Sequence, residues 1–167
     1  RGLHYSSALS RQLGQELPKD AKMTDVTSHT WALPTLLTHA GVKFLHLGCN
    51  PACQSPHVPK LFWWEGPDGS RLLTFYSAGD YGTGLIPPED WPYKTWLAML
   101  MTGDNQGPPS LKEAKELERE AVAKLPGVNV HFGRLSDFAG ALLAEHPDLP
   151  VVHGDMPDTW IHGPMSD

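Results

Sequence analysis

The residues of this sequence whose type and placement suit reaction chemistry are aspartates. Asp25 ends the short run Lys22-Met23-Thr24-Asp25-Val26, Asp104 lies in Gly103-Asp104-Asn105-Gln106-Gly107, and Asp155 and Asp158 follow the apolar stretch 150–152. Carboxyl groups in such positions serve as nucleophile, general acid or base, or metal ligand. Each also has a plain structural reading. An aspartate ahead of a helix caps free N–H groups, and Asp104 suits a turn. Spacing along the chain leaves both readings open. The two cysteines, Cys49 and Cys53 in Cys-Asn-Pro-Ala-Cys, are too few for a disulfide framework, and reduced thiols are the expectation.

The elements that must position these residues follow from periodicity. Leu9, Leu13 and Leu17 recur at helical spacing, predicting a helix over 5–16 that Pro18 ends. Residues 22–26 read as a strand with Asp25 at its C-terminal end. A helix from Trp31 follows, capped by Ser28 or Thr30, with Pro34 in its first turn and Ala40-Gly41 as its stop. Strand 42–47 comes next. The apolar runs 61–64 and 71–76 flank Asp68-Gly69, which suits a tight reversal, and predict a β-hairpin. After a loop over 77–89, Asp90-Trp91-Pro92 reads as the cap of a helix to Met101. Ser110 and Glu113 have capping-box spacing ahead of Leu111, Ala114, Leu117, Ala121 and Leu125, which predicts a helix. A strand at 128–132, a helix from Ser136 to Glu145 and a strand from Pro150 complete the pattern. Such alternation predicts an α/β fold with parallel strands, whose reactive residues gather at strand C-terminal ends.

The chain has 167 residues, a net charge of −6 and 40% hydrophobic residues, enough for one ordinary domain. No apolar run approaches the roughly 20 residues of a bilayer span, and the acidic balance supplies no basic footprint for nucleic acid or an anionic membrane. The 16 glycines and 16 prolines predict long ordered loops. The sequence opens on Arg1 without a secretory signal pattern, so the expectation is a cytoplasmic protein whose N-terminus lies upstream.

Residues 23–44, Met-Thr-Asp-Val-Thr-Ser-His-Thr-Trp-Ala-Leu-Pro-Thr-Leu-Leu-Thr-His-Ala-Gly-Val-Lys-Phe, resemble the nucleophile segment of glycoside hydrolase family 38, the α-mannosidases. Phe62-Trp63-Trp64-Glu65-Gly66-Pro67-Asp68-Gly69-Ser70-Arg71 is similar to that family's Trp-x-Gly-x-Asp-Gly-Ser hairpin. Residues 103–109 are similar to its Gly-Asp loop, and Val152-His153-Gly154-Asp155-Met156 to His162-Gly163 to its late strand and following segment. The resemblance implies the central part of a seven-stranded (β/α) barrel with a β-hairpin insertion. It makes residues 1–167 a single partial catalytic domain of a longer protein, missing N- and C-terminal parts and inactive as an isolated piece.

Carried onto this sequence, the resemblance makes Asp25 both the nucleophile and a ligand to a catalytic zinc, with the remaining ligands outside this chain, and places Asp104 at the general acid/base. Asp80 and Tyr81 fall where the family has a Tyr-Asp pair touching sugar hydroxyls. Trp64, His29 and His162 are further candidates for substrate contact, His29 as a residue hydrogen-bonding behind the site. The implied activity is retaining hydrolysis of α-mannosides or related carbohydrates, in which one carboxylate attacks and a second carboxyl assists the leaving oxygen. The alternatives are a metal-dependent carbohydrate deacetylase on a related barrel, with Asp25 only a ligand or base, and a non-catalytic carbohydrate-binding relative.

Overall fold

The computed structural model describes residues 2–100 and 106–160. Its elements run α1 (Gly2–Gln12), β1 (Asp20–Met23), α2 (Leu33–His39), β2 (Phe44–Gly48), β3 (Leu61–Glu65), β4 (Arg71–Ser77), α3 (Leu111–Lys124), α4 (Leu135–Leu143) and β5 (Val151–Val152). The chain divides into two compact units, residues up to Tyr81 with those from Asp148 onward, and Gly82–Pro147.

The first unit is built on one mixed sheet in the order β1-β2-β4-β3-β5. β1, β2 and β4 are parallel neighbours, with Met23 beside Leu47 and Leu47 beside Tyr76. β3 runs antiparallel to β4 as the predicted hairpin, and β5 parallel to β3. The described sheet is open, with β1 and β5 at its edges. The α/β class therefore holds, while the five strands are mixed rather than all parallel.

Alternation of side chains along each strand sends Leu45, Leu47, Phe62, Trp64, Leu72 and Tyr76 to one face, where they form a core with Leu37 of α2 and Met156. Residues of this kind each contribute about 1.5–3 kcal/mol on full burial. β2 is buried on both faces, Phe44 and His46 included, as suits a strand between two parallel neighbours. Gly41, at φ +89°, stops α2 where the sequence placed its end. The expected Ser28 or Thr30 cap is replaced by Ala32 without a side-chain cap, and the Asp155 carboxylate instead accepts from the Trp31 N–H at 2.7 Å. The apolar stripe of α1 stays exposed at Leu9 and Leu13, and nothing on that helix is buried.

In Gly82–Pro147, α3 carries the predicted capping box in both directions, and α4 spans Leu135–Leu143 with Arg134 rather than Ser136 at its cap position. Two expectations fail there. Residues 90–100 form no helix, because the Lys94 and Thr95 N–H groups donate to the Glu145 carboxylate at 2.8 and 2.9 Å instead of to the backbone. Thr83 also pairs with Met99, its N–H donating to the Met99 carbonyl at 2.8 Å and its hydroxyl accepting from the Met99 N–H at 2.6 Å. Residues 128–132 find no ladder partner and form no strand, and Phe132 stands largely exposed. No helix among the described residues is long and apolar enough to cross a membrane.

Candidate functional site

Polar side chains converge at the C-terminal ends of the three parallel strands, where an α/β sheet exposes its loops to a ligand. Asp25 lies two residues beyond β1, Asn50 two beyond β2, and Asp80 and Tyr81 just beyond β4. The Tyr81 hydroxyl donates to the Asp25 carboxylate and accepts from the Asn50 amide at 2.9 Å. The Tyr81 N–H in turn donates to the Asp80 carboxylate at 2.6 Å. Asp25 sits at φ +60°, a left-handed conformation that costs a side-chain-bearing residue energy and turns the chain sharply off the strand. Asp25 and Asp80 remain exposed.

Gly48, the last residue of β2, makes this convergence possible. A Cβ there would lie 2.5 Å from the Asp80 carbonyl oxygen, 2.9 Å from a Thr24 methyl and 3.1 Å from the Tyr81 Cα. Only a bare α-carbon lets the loops after β1 and β4 close over the end of β2.

Two residues back along β2, His46 is fully buried and its Nε2 lies 2.9 Å from the Ser77 hydroxyl. Burial pushes its pKa down to about 3, helped by nearby Lys22 and opposed by Asp80, so the ring is neutral at ordinary pH. Its Nδ1 has no partner among the described residues. Lys22 stands opposite His46 in the β1–β2 register, and its ammonium donates to the Thr24 hydroxyl at 2.7 Å. Burial lowers the Lys22 pKa.

The other sequence candidates take several places. His29 is buried, and its backbone exchanges two hydrogen bonds with Met156, at 2.9 and 2.8 Å. Burial lowers its pKa against the pull of Asp158. It therefore stands behind the Asp25 loop. Asp158 accepts from the Ser28 N–H at 2.6 Å, and the Ser28 hydroxyl accepts from the Asp158 N–H at 3.1 Å. Asp155 and Asp158 thus fasten the segment after β5 to the loop after Asp25. Trp64, a candidate for substrate contact, is a core residue instead. It is fully buried, and its indole N–H donates to the Gly154 carbonyl at 2.9 Å. Trp63 is the half-buried member of the pair. Asp104 and His162 lie outside the described residues.

Sequence reasoning missed Asn50, Gly48 and the His46–Ser77 pair. Asn50 carried the same signal as Asp25, a polar residue just past a predicted strand. The other two depend on which strands become neighbours.

Of the zinc ligands expected from the resemblance, this chain brings Asp25, and among the described residues no three His, Cys, Asp or Glu side chains gather into a metal site. The described residues do not by themselves hold the ion. Cys49 and Cys53 are both free thiols, and burial together with the neighbouring Cys49 sulfur pushes the Cys53 thiol up.

No known sequence family and no curated protein matches the chain. Its backbone is similar to that of a solved structure, an alpha-mannosidase from Enterococcus faecalis V583, with a TM-score of 0.63 and 17% identity over 92% of this chain. At that identity the likeness is one of fold. The chain spans 19% of the length of that alpha-mannosidase chain.

Proposed function

We propose that this chain is part of the catalytic domain of a carbohydrate-active enzyme, an α-mannosidase-like retaining glycoside hydrolase in which Asp25 is the nucleophile. The observation that carries the reading is the Asp25 carboxylate held by Tyr81 where three parallel strands end, on a fold similar to that of an α-mannosidase. An Asp25 oxygen attacks the anomeric carbon, the bond to the leaving oxygen breaks, and Asp104 delivers the proton that oxygen needs. Water then cleaves the glycosyl ester as Asp104 takes a proton back. The Tyr81 hydroxyl keeps the attacking carboxylate aimed, and Asn50 keeps the tyrosine aimed, which is positioning of the kind that supplies much of a barrier reduction. In this reading Asp80 accepts from sugar hydroxyls. A zinc ion belongs to this proposal only through Asp25, with its other ligands drawn from outside this chain.

The test is hydrolysis of an aryl α-mannoside by the protein that carries this chain, with zinc supplied, against its Asp25→Asn variant. The variant is expected to lose at least about a thousandfold in kcat, or about 4 kcal/mol of transition-state stabilisation. Tyr81→Phe loses roughly tenfold with KM little changed. Full activity in Asp25→Asn removes the nucleophile assignment, and release of acetate from an N-acetylated sugar by the same protein would put deacetylation in its place.

A further inference from the structure

We propose that Cys49 and Cys53 form a reversible intrachain disulfide, closed by a peroxide, which acts on the Asp25 site through Asn50 and Tyr81. The chain has two cysteines, and the fold puts their thiols in contact. Cys49 directly follows β2 and is buried in the core cluster that holds Tyr76 and Phe62, and half-buried Cys53 packs against that cluster. A turn brings the second thiol back to the first. Pro51 fixes φ at the second position of that turn. The Cys53 N–H donates to the Asn50 carbonyl at 3.0 Å, and the Asn50 side-chain oxygen accepts from the Ala52 N–H at 2.9 Å. The two thiols are hydrogen-bonded to each other, and the Cys49 sulfur to the Tyr76 phenol. Both thiols are free, so this is the reduced form. A zinc ion would need further ligands, and among the described residues no three His, Cys, Asp or Glu side chains gather into a metal site.

The half-buried Cys53 sulfur is the one an oxidant reaches. It attacks hydrogen peroxide, the O–O bond breaks, Cys53 becomes a sulfenic acid, and the other oxygen leaves as water with the thiol proton. The Cys49 sulfur then attacks the Cys53 sulfur, the S–O bond breaks, and the hydroxyl leaves as a second water with the Cys49 proton. Two thiols lose two electrons, and one peroxide is reduced to two waters. The core accommodates the product. A disulfide is uncharged, and the Tyr76 phenol keeps its bond to Ser55. Burial, the Cys49 sulfur and Asp158 push the Cys53 thiol up, so little thiolate forms at ordinary pH and the pair answers to sustained oxidant. A sulfur–sulfur bond is far shorter than a hydrogen-bonded contact, so closing it draws Cys53 toward Cys49 and moves the turn between them. Asn50 lies in that turn, and its amide holds the Tyr81 hydroxyl that in turn holds Asp25. Oxidation therefore loosens the Asn50 grip on Tyr81. That the carboxylate at the end of this relay is catalytic rests on the reading of Asp25 above, whereas the thiol chemistry does not.

The test is peptide mapping and amide NMR on the 15N-labelled full chain, before hydrogen peroxide, after it, and again after dithiothreitol. Lys43 and Lys60 flank both cysteines, so one tryptic peptide, 44–60, carries the pair. Peroxide is expected to leave that peptide two hydrogens lighter and closed to alkylation, and to shift the amides of Asn50, Ala52, Tyr81 and Asp25. Dithiothreitol reverses both changes. Cys53→Ser and Cys53→Ala, at a half-buried position, abolish the shifts. In Asn50→Ala the peptide still closes, while the Tyr81 and Asp25 amides do not move. Where the protein that carries this chain hydrolyses an aryl α-mannoside, oxidation lowers kcat about tenfold, the loss expected of Tyr81→Phe, and Cys53→Ser keeps its rate under peroxide. A peptide that stays reduced, or that gains oxygen instead of losing hydrogen, overturns the disulfide. A closed peptide with Tyr81 and Asp25 unshifted overturns its link to the site. Absence of hydrolysis, with closure and shifts both observed, overturns the glycosidase reading and leaves the thiol switch standing.

Discussion

In the unit built on the sheet, Trp64, Phe44, Phe62 and Phe75 are fully buried, and every residue of β2 is buried. In Gly82–Pro147, Leu142 is the fully buried large side chain among the described residues, and α3 buries only Ala121. The two units also assemble their polar groups differently. Around Asp25 the partners are far apart in sequence, Tyr81 56 residues from Asp25 and Asn50 31 from Tyr81. In α3 the capping box is Ser110 and Glu113, three residues apart, with Lys124 and Glu120 paired four apart. Long-range closure brings carboxylates, an amide and a phenol together at the strand ends. Local pairing builds a helix.

The sharpest way to break that contrast is to add one methyl group to each unit. At Gly48 the new Cβ meets a backbone oxygen at 2.5 Å, which has no rotamer by which to give way. Gly48→Ala is expected to cost about 3 kcal/mol in urea unfolding and to separate Asp25 from Tyr81, erasing sugar-induced shifts at both. At Gly140, inside α4, nothing lies within 4 Å of the added carbon. Gly140→Ala is expected to stabilise by about 0.5–1 kcal/mol through lower backbone entropy in the unfolded chain. Effects of equal size and sign at the two glycines would remove the distinction between the units.

The same contrast explains what could be read in advance. α3 and the hairpin were legible because their signals are local, the Ser110 and Glu113 capping spacing and the Asp68-Gly69 turn, with Gly69 at φ +80°. The helix expected from Asp90 failed because its cap-like start was local, while the groups that decided the outcome, on Glu145, lie 50 or more residues away. Period-two alternation along a strand puts one of the adjacent Trp63 and Trp64 inward. Which one was settled by pairing Trp64 with Leu72 across the hairpin, a register absent from composition. Asp25 stood out by its place at the end of a predicted strand, Asp80 and Tyr81 were reached by family resemblance, and the structure brings these three together. Asn50, which resemblance did not name, completes the group.

His46 gives a second measurement of how tightly the sheet unit is closed. The folded chain holds its pKa near 3, against 6.5 ordinarily, so between those values the unfolded chain binds the proton more readily. Stability contributed by the neutral ring is complete above about pH 6.5 and is lost as pH falls toward 3, by up to about 1.4 kcal/mol per pH unit. Burial of His29 acts in the same direction. Unfolding free energies from urea between pH 7 and 5 are expected to fall with this slope, and His46→Leu to reduce it, with His29 still contributing in the same direction. An unchanged slope in His46→Leu would mean that His46 is reached by solvent in the folded chain.

The smallest expected effect belongs to the helical unit. The Ser110 hydroxyl accepts from the Glu113 N–H at 3.2 Å while the Glu113 carboxylate accepts from the Ser110 N–H at 2.7 Å, so each satisfies an N–H that the helix start leaves free. Ser110→Ala removes one of the two bonds and leaves the other, and is expected to cost about 1 kcal/mol. If closure in this unit is local, that loss appears as faster amide exchange in the first turns of α3, with the amides of β2 keeping their protection. If β2 amides lose protection by the same amount, the helix start is part of the same cooperative block as the sheet, and the difference between local and long-range construction does not extend to how the chain unfolds.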